Sequence, residues 1–174
     1  MDNRQRFMHA AAVAEHYACF RDFAEDGMQF LGFPLTDMQA DISDYMADGP
    51  RLRMVMAQRG EAKSTLAALL AVWRLIQRPN CRVLVVSGGE AQASEVATLI
   101  IRLITSWDIL EYLRPDRNAG DRSSVEAFDV HYALKGLDKS PSVACIGITA
   151  NLQGKRADLL IADDVETTKN GLTV

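Results

Sequence analysis

The stretch Ala57-Gln58-Arg59-Gly60-Glu61-Ala62-Lys63-Ser64-Thr65 decides how this chain is read. An apolar run, Met54-Val55-Met56, precedes it, and Leu66, Leu69, Leu70, Trp73 and Ile76 follow at helical spacing. Strand, loop, Lys-Ser and helix in that order are the context of a phosphate-binding loop. In such a loop, successive backbone N–H groups line an anion pocket, and the helix N-terminus adds partial positive charge. Lys63 is then placed for the β- and γ-phosphates, and the Ser64 hydroxyl for Mg²⁺. The pattern asks for glycine at 57 and 62, and both are alanine. Glycine at 62 would let the backbone approach phosphate with no Cβ in the way. Taken alone, the stretch reads equally well as an ordinary strand–turn–helix.

A second motif lies about 100 positions on. Asp158-Leu159-Leu160-Ile161-Ala162-Asp163-Asp164-Val165-Glu166 is an apolar strand ending in carboxylates, the Walker B form. One carboxylate at the strand tip holds Mg²⁺ through water, and the next orients or deprotonates the attacking water. The alternative is a buried strand with a solvated acidic turn. Two such signals in the right order carry more weight than either alone.

The chain has 174 residues, 48% apolar and 24% charged, enough for a real core. A net charge of −4 excludes a global basic field, so any DNA contact is local or supplied by an oligomer. No apolar run reaches the ~20 residues that span a bilayer, and no signal-peptide core follows the N-terminus. Cys19, Cys81 and Cys145 are scattered and odd in number, which predicts reduced, mostly buried thiols. Nor do they stand at metal-ligand spacing with His9, His16 or His131.

Periodicity predicts one amphipathic helix over residues 4–26 with a stop at Gly27, and a second helix from Thr36 to Gly49. Strands are expected at Arg53–Met56, Arg82–Ser87, Val125–Val130, Val143–Thr149 and the Walker B run. Helices are expected from Lys63 to Gln77, after Gly88-Gly89, and over Trp107–Leu113. Apolar strands alternating with helices predict an α/β fold with a largely parallel sheet. Residues 1–50 form a helical region and residues 51–174 the core. Gln39 is placed to read an adenine edge, or to close a capping box with Thr36. Arg59, inside the loop, is placed for the γ-phosphate, for pairing with Glu61 or a Walker B acid, or is solvated; Arg156, just before the Walker B strand, is placed for a neighbouring subunit's nucleotide, with Lys155 for DNA phosphates, or is solvated. Ser87-Gly88-Gly89 ends a strand at the carboxyl edge, where open α/β sheets bind ligands, or is only a turn.

These segments resemble the N-terminal ATPase region of the large terminase subunit of tailed bacteriophages, nearest the short-tailed phage type. The carrying residues are Phe33-Pro34-Leu35-Thr36-Asp37-Met38-Gln39, Arg59 to Ser64, Arg82 to Ser87, Ser140-Pro141-Ser142-Val143, Gly147-Ile148-Thr149, and Gly154 through Glu166. The resemblance implies a P-loop NTPase fold of the RecA-like, ASCE type that uses ATP and Mg²⁺. It implies a motor that pumps double-stranded DNA into a procapsid. The partners implied are the portal, a small terminase subunit and further copies in a ring, usually a pentamer. The implied location is the host cytoplasm, transiently on the procapsid. The family's nuclease domain is not within these 174 residues.

Carried over, Gln39 matches the adenine motif, and Gln58 to Thr65 the nucleotide loop with Lys63 and Ser64 as phosphate and Mg²⁺ residues. Asp163 matches the metal carboxylate. Asp164 replaces the usual catalytic glutamate, with Glu166 an alternative base. Arg59 resembles an arginine acting in cis, and Arg156 one acting in trans. In this class the strand between the two motif strands comes from sequence after Walker B. The expectation is therefore an incomplete sheet: a fragment of a longer protein, a displaced or disordered Walker B strand, or a gap filled by another chain. Two rival readings keep the same fold: a helicase-like, nucleic-acid-stimulated ATPase, and a degenerate non-hydrolysing module.

Overall fold

Three helices open the chain: α1 (Asn3–His16), α2 (Phe20–Phe30) and α3 (Asp37–Asp48). The computed structural model describes residues 1–58, 60–150 and 154–165. The single helix expected over 4–26 is two, broken at Tyr17–Cys19. The break frees carbonyls that a helix would otherwise use, and α4 (Lys63–Gln77) supplies their donors. Trp73 Nε1 donates to the Tyr17 carbonyl at 2.8 Å, and Gln77 Nε2 donates to the carbonyls of Tyr17 (2.7 Å) and Ala14 (3.1 Å). Gly27 does not stop α2. It is the point where α2 crosses α4: a Cβ there would lie 2.4 Å from a Leu69 methyl. The helix ends only at Leu31, whose N–H bonds the Gly27 carbonyl.

Among the described residues the sheet has four strands, β1 (Val83–Ser87), β2 (Ala127–Phe128), β3 (Val143–Gly147) and β4 (Leu159–Asp163), in the order β2-β3-β1-β4. β1 pairs parallel with both β3 and β4, and β2 adds a short antiparallel edge. Of the strand expected over Val125–Val130, only Ala127 and Phe128 pair in the sheet. Helix α5 (Glu90–Ser106) follows Gly89, a six-residue 3₁₀ turn covers Asp108–Leu113, and a four-residue helix α6 (Tyr132–Lys135) lies in the connection to β3.

The core lies on the sheet face that carries α4 and α5. Val83, Val85, Val143, Cys145 and Ile161 point into it and meet Leu66, Leu69, Leu70, Ile100 and Leu103. Leu84, Val86 and Ala144 form a smaller cluster on the other face. Burial pushes the Cys145 thiol up to about 12 and raises that of Cys81, while Cys19 is exposed.

The strand expected at Arg53–Met56 does not form, although its alternation is real. Arg53, Val55 and Ala57 are half-buried, whereas Leu52, Met54 and Met56 are 88%, 77% and 87% exposed. Among the described residues the segment has no pairing partner, so its backbone joins no ladder. Among the described residues β4 is the last strand on this side, with Leu160 61% exposed. Arg53, Val55 and residues 159–164 line one cavity of ≈ 210 Å³. Among the described residues no strand lies where the resemblance places a further one. β4 itself is not displaced, because it runs in full register with β1 from Val83↔Leu159 to Ser87↔Asp163.

Candidate functional site

α4 begins at Lys63 with Ala62 as its N-cap, and no side chain caps it. Its first N–H groups are thus free of the usual Ser, Thr or Asp oxygen and face the loop before them. Gly60 has φ +97° and Ala62 φ +52°, both left-handed. Ala62 holds the conformation that a glycine would adopt without strain, and for an L-residue this costs about 1–2 kcal/mol. The glycine missing from the sequence pattern thus shows up first as backbone strain. Lys63 Nζ donates to the carbonyls of Ala57 (2.7 Å) and Gln58 (3.2 Å). The ammonium is folded back onto its own loop, and an incoming anion must draw it off those two oxygens.

The second half of the site is the tip of β4. Leu159 and Ile161 face the core beneath α4, and by strand alternation Asp163 faces the same way. Asp164 follows in a left-handed conformation, φ +45°, which Asp tolerates better than most residues. Its carbonyl accepts the Gly88 N–H at 3.2 Å, fixing the turn to the end of β1. Lys63, Asp163 and Asp164 line the same cavity as Arg51, Arg53 and the apolar floor of Ile42, Met46, Val55, Ala67 and Leu70. At ≈ 210 Å³ it is smaller than the ~300–1,000 Å³ common for ligand pockets.

Other expected residues sit as follows. Gln39 is buried and closes the capping box: its Oε1 accepts the Thr36 N–H at 3.1 Å, and Thr36 Oγ1 accepts the Gln39 N–H at 3.3 Å. Gln58 is exposed, and Glu61, Ser64 and Thr65 are half-buried around the start of α4. Arg156 is exposed three residues before β4, at the opposite edge from Asp163, with the ~13 Å length of a five-residue strand between them. Arg59 and Glu166 lie outside the described residues.

Among the described residues no cluster of three His, Cys, Asp or Glu side chains is placed to hold a metal. One carboxylate, Asp163, and one hydroxyl, Ser64, nevertheless suit Mg²⁺, which keeps most of its waters and takes one or two carboxylates with substrate phosphates.

Sequence reasoning missed two supports. Arg53 caps the C-terminal end of α3, donating to the carbonyls of Met46, Gly49 (2.8 Å) and Pro50 (2.7 Å). Arg82 forks onto Asp158, with Nε to Oδ2 and Nη2 to Oδ1 both 2.9 Å. The guanidinium holds the Asp158 carboxyl down to about 2 and ties the start of β4 to β1. An arginine just after a helix-ending Gly-Pro was the available signal for the first. The second pairs residues 76 apart and had none in the sequence.

No family model matches the chain. It is 37% identical over 167 residues to the large terminase subunit of Enterobacteria phage T3, an alignment covering 95% of this chain and 28% of that protein. The chain thus spans about 28% of the length of this relative. Among the described residues no helix is long and apolar enough to cross a membrane.

Proposed function

We propose, from the premise that this chain is a terminase large-subunit N-terminal region, that it binds Mg-ATP as part of a motor packaging double-stranded DNA. The observation that carries the reading is that Lys63, Asp163 and Asp164 line one cavity. Motif order in the sequence required this meeting, and an unrelated strand–turn–helix would not.

In the proposed cycle, the N–H groups at the start of α4 receive the phosphates, and Lys63 moves from the Ala57 and Gln58 carbonyls to the phosphate oxygens. Ser64 and Asp163 hold Mg²⁺, which neutralises charge developing on the phosphoryl oxygens when bound. Asp164 orients the attacking water, with Glu166 as the alternative base. The Asp side chain is one methylene shorter than Glu, so the water must lie closer to the strand tip. Arg59 completes the charge clamp from the same chain. Arg156, on the far edge, serves a neighbouring copy in a ring. Portal, procapsid, small subunit and DNA are partners of the whole assembly.

Calorimetric titration with ATP and Mg²⁺ tests the assignment. Lys63→Ala should weaken binding by roughly 100-fold, the ~3 kcal/mol of a lost charge contact. Equal binding by the variant refutes the site. One observation favours a second reading, a non-hydrolysing module: the lysine is already satisfied by its own loop beside a small cavity. That reading predicts no saturable ATP binding by the parent chain.

A further inference from the structure

Ser87 ends β1, the strand adjoining β4, at the carboxyl edge of the sheet. It is 0% exposed, and its hydroxyl has no hydrogen-bond partner among the described residues. Buried hydroxyls are seldom left so, and each such case calls for an explanation. Its direction is fixed. Val83 and Val85 face the core beneath α4 and α5, so Ser87, at the same alternation, faces there too. The backbone around it is pinned on both sides: the Ser87 carbonyl accepts the Ile148 N–H at 2.8 Å, and Gly88 N–H donates to the Asp164 carbonyl at 3.2 Å.

Ser87 is the in-register partner of Asp163. Registered residues of neighbouring parallel strands point the same way and stand ~4.8 Å apart, within reach of a hydroxyl-to-carboxylate bond. Among the described residues the Asp163 carboxylate also has no hydrogen bond or ion pair. Two unpartnered polar side chains thus share one face at the strand tips, and one of them is the proposed metal carboxylate. On the third strand the registered residue is Gly147, where a Cβ would lie 3.0 Å from the Glu90 nitrogen. Gly147 brings no side chain and sits where one would be crowded, so among the described residues Asp163 is the registered neighbour with a polar side chain to offer.

We propose that Ser87 is a positioning residue for the metal site: its hydroxyl donates to Asp163 and sets the carboxylate for Mg²⁺ when nucleotide is bound. A carboxylate with one oxygen held by a donor has the other aimed, and losing such a support costs about 10- to 100-fold in metal affinity. The inference rests on the ATP reading above.

The test is ATP affinity measured by calorimetry, with Mg²⁺ and with EDTA, for the parent, Ser87→Ala and Ser87→Thr. The ratio of the two affinities isolates the metal's contribution from that of the loop. The expected result is that Ser87→Ala lowers the ratio by about 10-fold or more, leaves the EDTA affinity unchanged, and that Ser87→Thr restores the ratio. An unchanged ratio in Ser87→Ala, or an equal loss with and without metal, overturns the role while leaving the ATP reading intact. No metal-dependent ATP binding by the parent overturns both.

Discussion

Ala62 is where sequence pattern and backbone geometry collide, and substitutions there measure the collision. The residue sits at φ 52°, ψ 30° as the N-cap of α4. Left-handed backbone costs an alanine about 1–2 kcal/mol, and a glycine almost nothing. Two effects oppose the gain from Ala62→Gly. A freer unfolded chain costs about 0.4–1 kcal/mol. Removing a methyl that packs partly against the core costs roughly 0.4 kcal/mol, half the value of a buried CH₂. The net is a stabilisation of only about 0.5 kcal/mol, or ~1–2 °C in Tm for a chain of this size. Ala62→Val is the sharper probe, because a β-branched residue at positive φ is a genuine outlier and adds roughly 1–2 kcal/mol of strain. Urea unfolding of both variants beside the parent gives the comparison. The expected order is Gly, Ala, Val, with a spread of about 2 kcal/mol. The reasoning fails if Val is as stable as Gly, for then the left-handed turn is not what the folded chain holds.

Two further outcomes follow from packing and charge. Gly27→Ala should destabilise by about 1 kcal/mol in chemical denaturation: overpacking against fully buried Leu69 costs ~1–3 kcal/mol and helix propensity returns up to ~1. The penalty should shrink in a Leu69→Ala background, and an unchanged penalty would place the clash elsewhere. Asp158, held by Arg82, has its folded pKa lowered to about 2 from 3.8. Its contribution is present above the unfolded value and lost as pH falls through the folded one. The parent's advantage over Asp158→Asn, about 1 kcal/mol or less for so exposed a pair, should be constant at pH 5–7 and fade between about pH 4 and 2.

Much of the fold was legible because its signals are local. α4 runs from Lys63 to Gln77, as its apolar spacing and the proline at 79 require; β1 and β4 fall on their apolar runs, while β3 stops at Gly147, short of the expected Thr149. The features that escaped depend on partners distant in sequence. The break at Tyr17 is stabilised by Trp73 and Gln77, which donate across 56 and 60 residues. Gly27 reads as a helix stop, yet its missing side chain serves Leu69 on another helix. At the site, motif order was enough to bring Lys63 and Asp163 to one cavity. It did not show that the lysine folds back on its own carbonyls, nor that Ser87 stands in register with Asp163. Both depend on the paths of loop and strand, which residue identity alone does not fix.

The unpaired segment 53–57 shows the same limit from the other side. Its alternation is strand-like: Met54 and Met56, with Leu52 just before them, stand on one flank and Arg53, Val55 and Ala57 on the other. Pattern sets which way side chains point, but a strand exists only when another backbone offers donors and acceptors in register. Here the nearest strand, β4, is across a cavity whose floor is Val55, Ala67 and Leu70. Arg53 gives the segment a fixed origin by clamping it to the end of α3. Lys63 gives it a fixed end by bonding the Ala57 carbonyl. Clamped at both ends, the segment holds the loop before α4 in place through two side chains, where a complete sheet would do so through a ladder. Loop geometry and strand pairing are therefore separable here, which is why substitutions at Ala62 and Lys63 report on the loop without requiring that segment to become a strand.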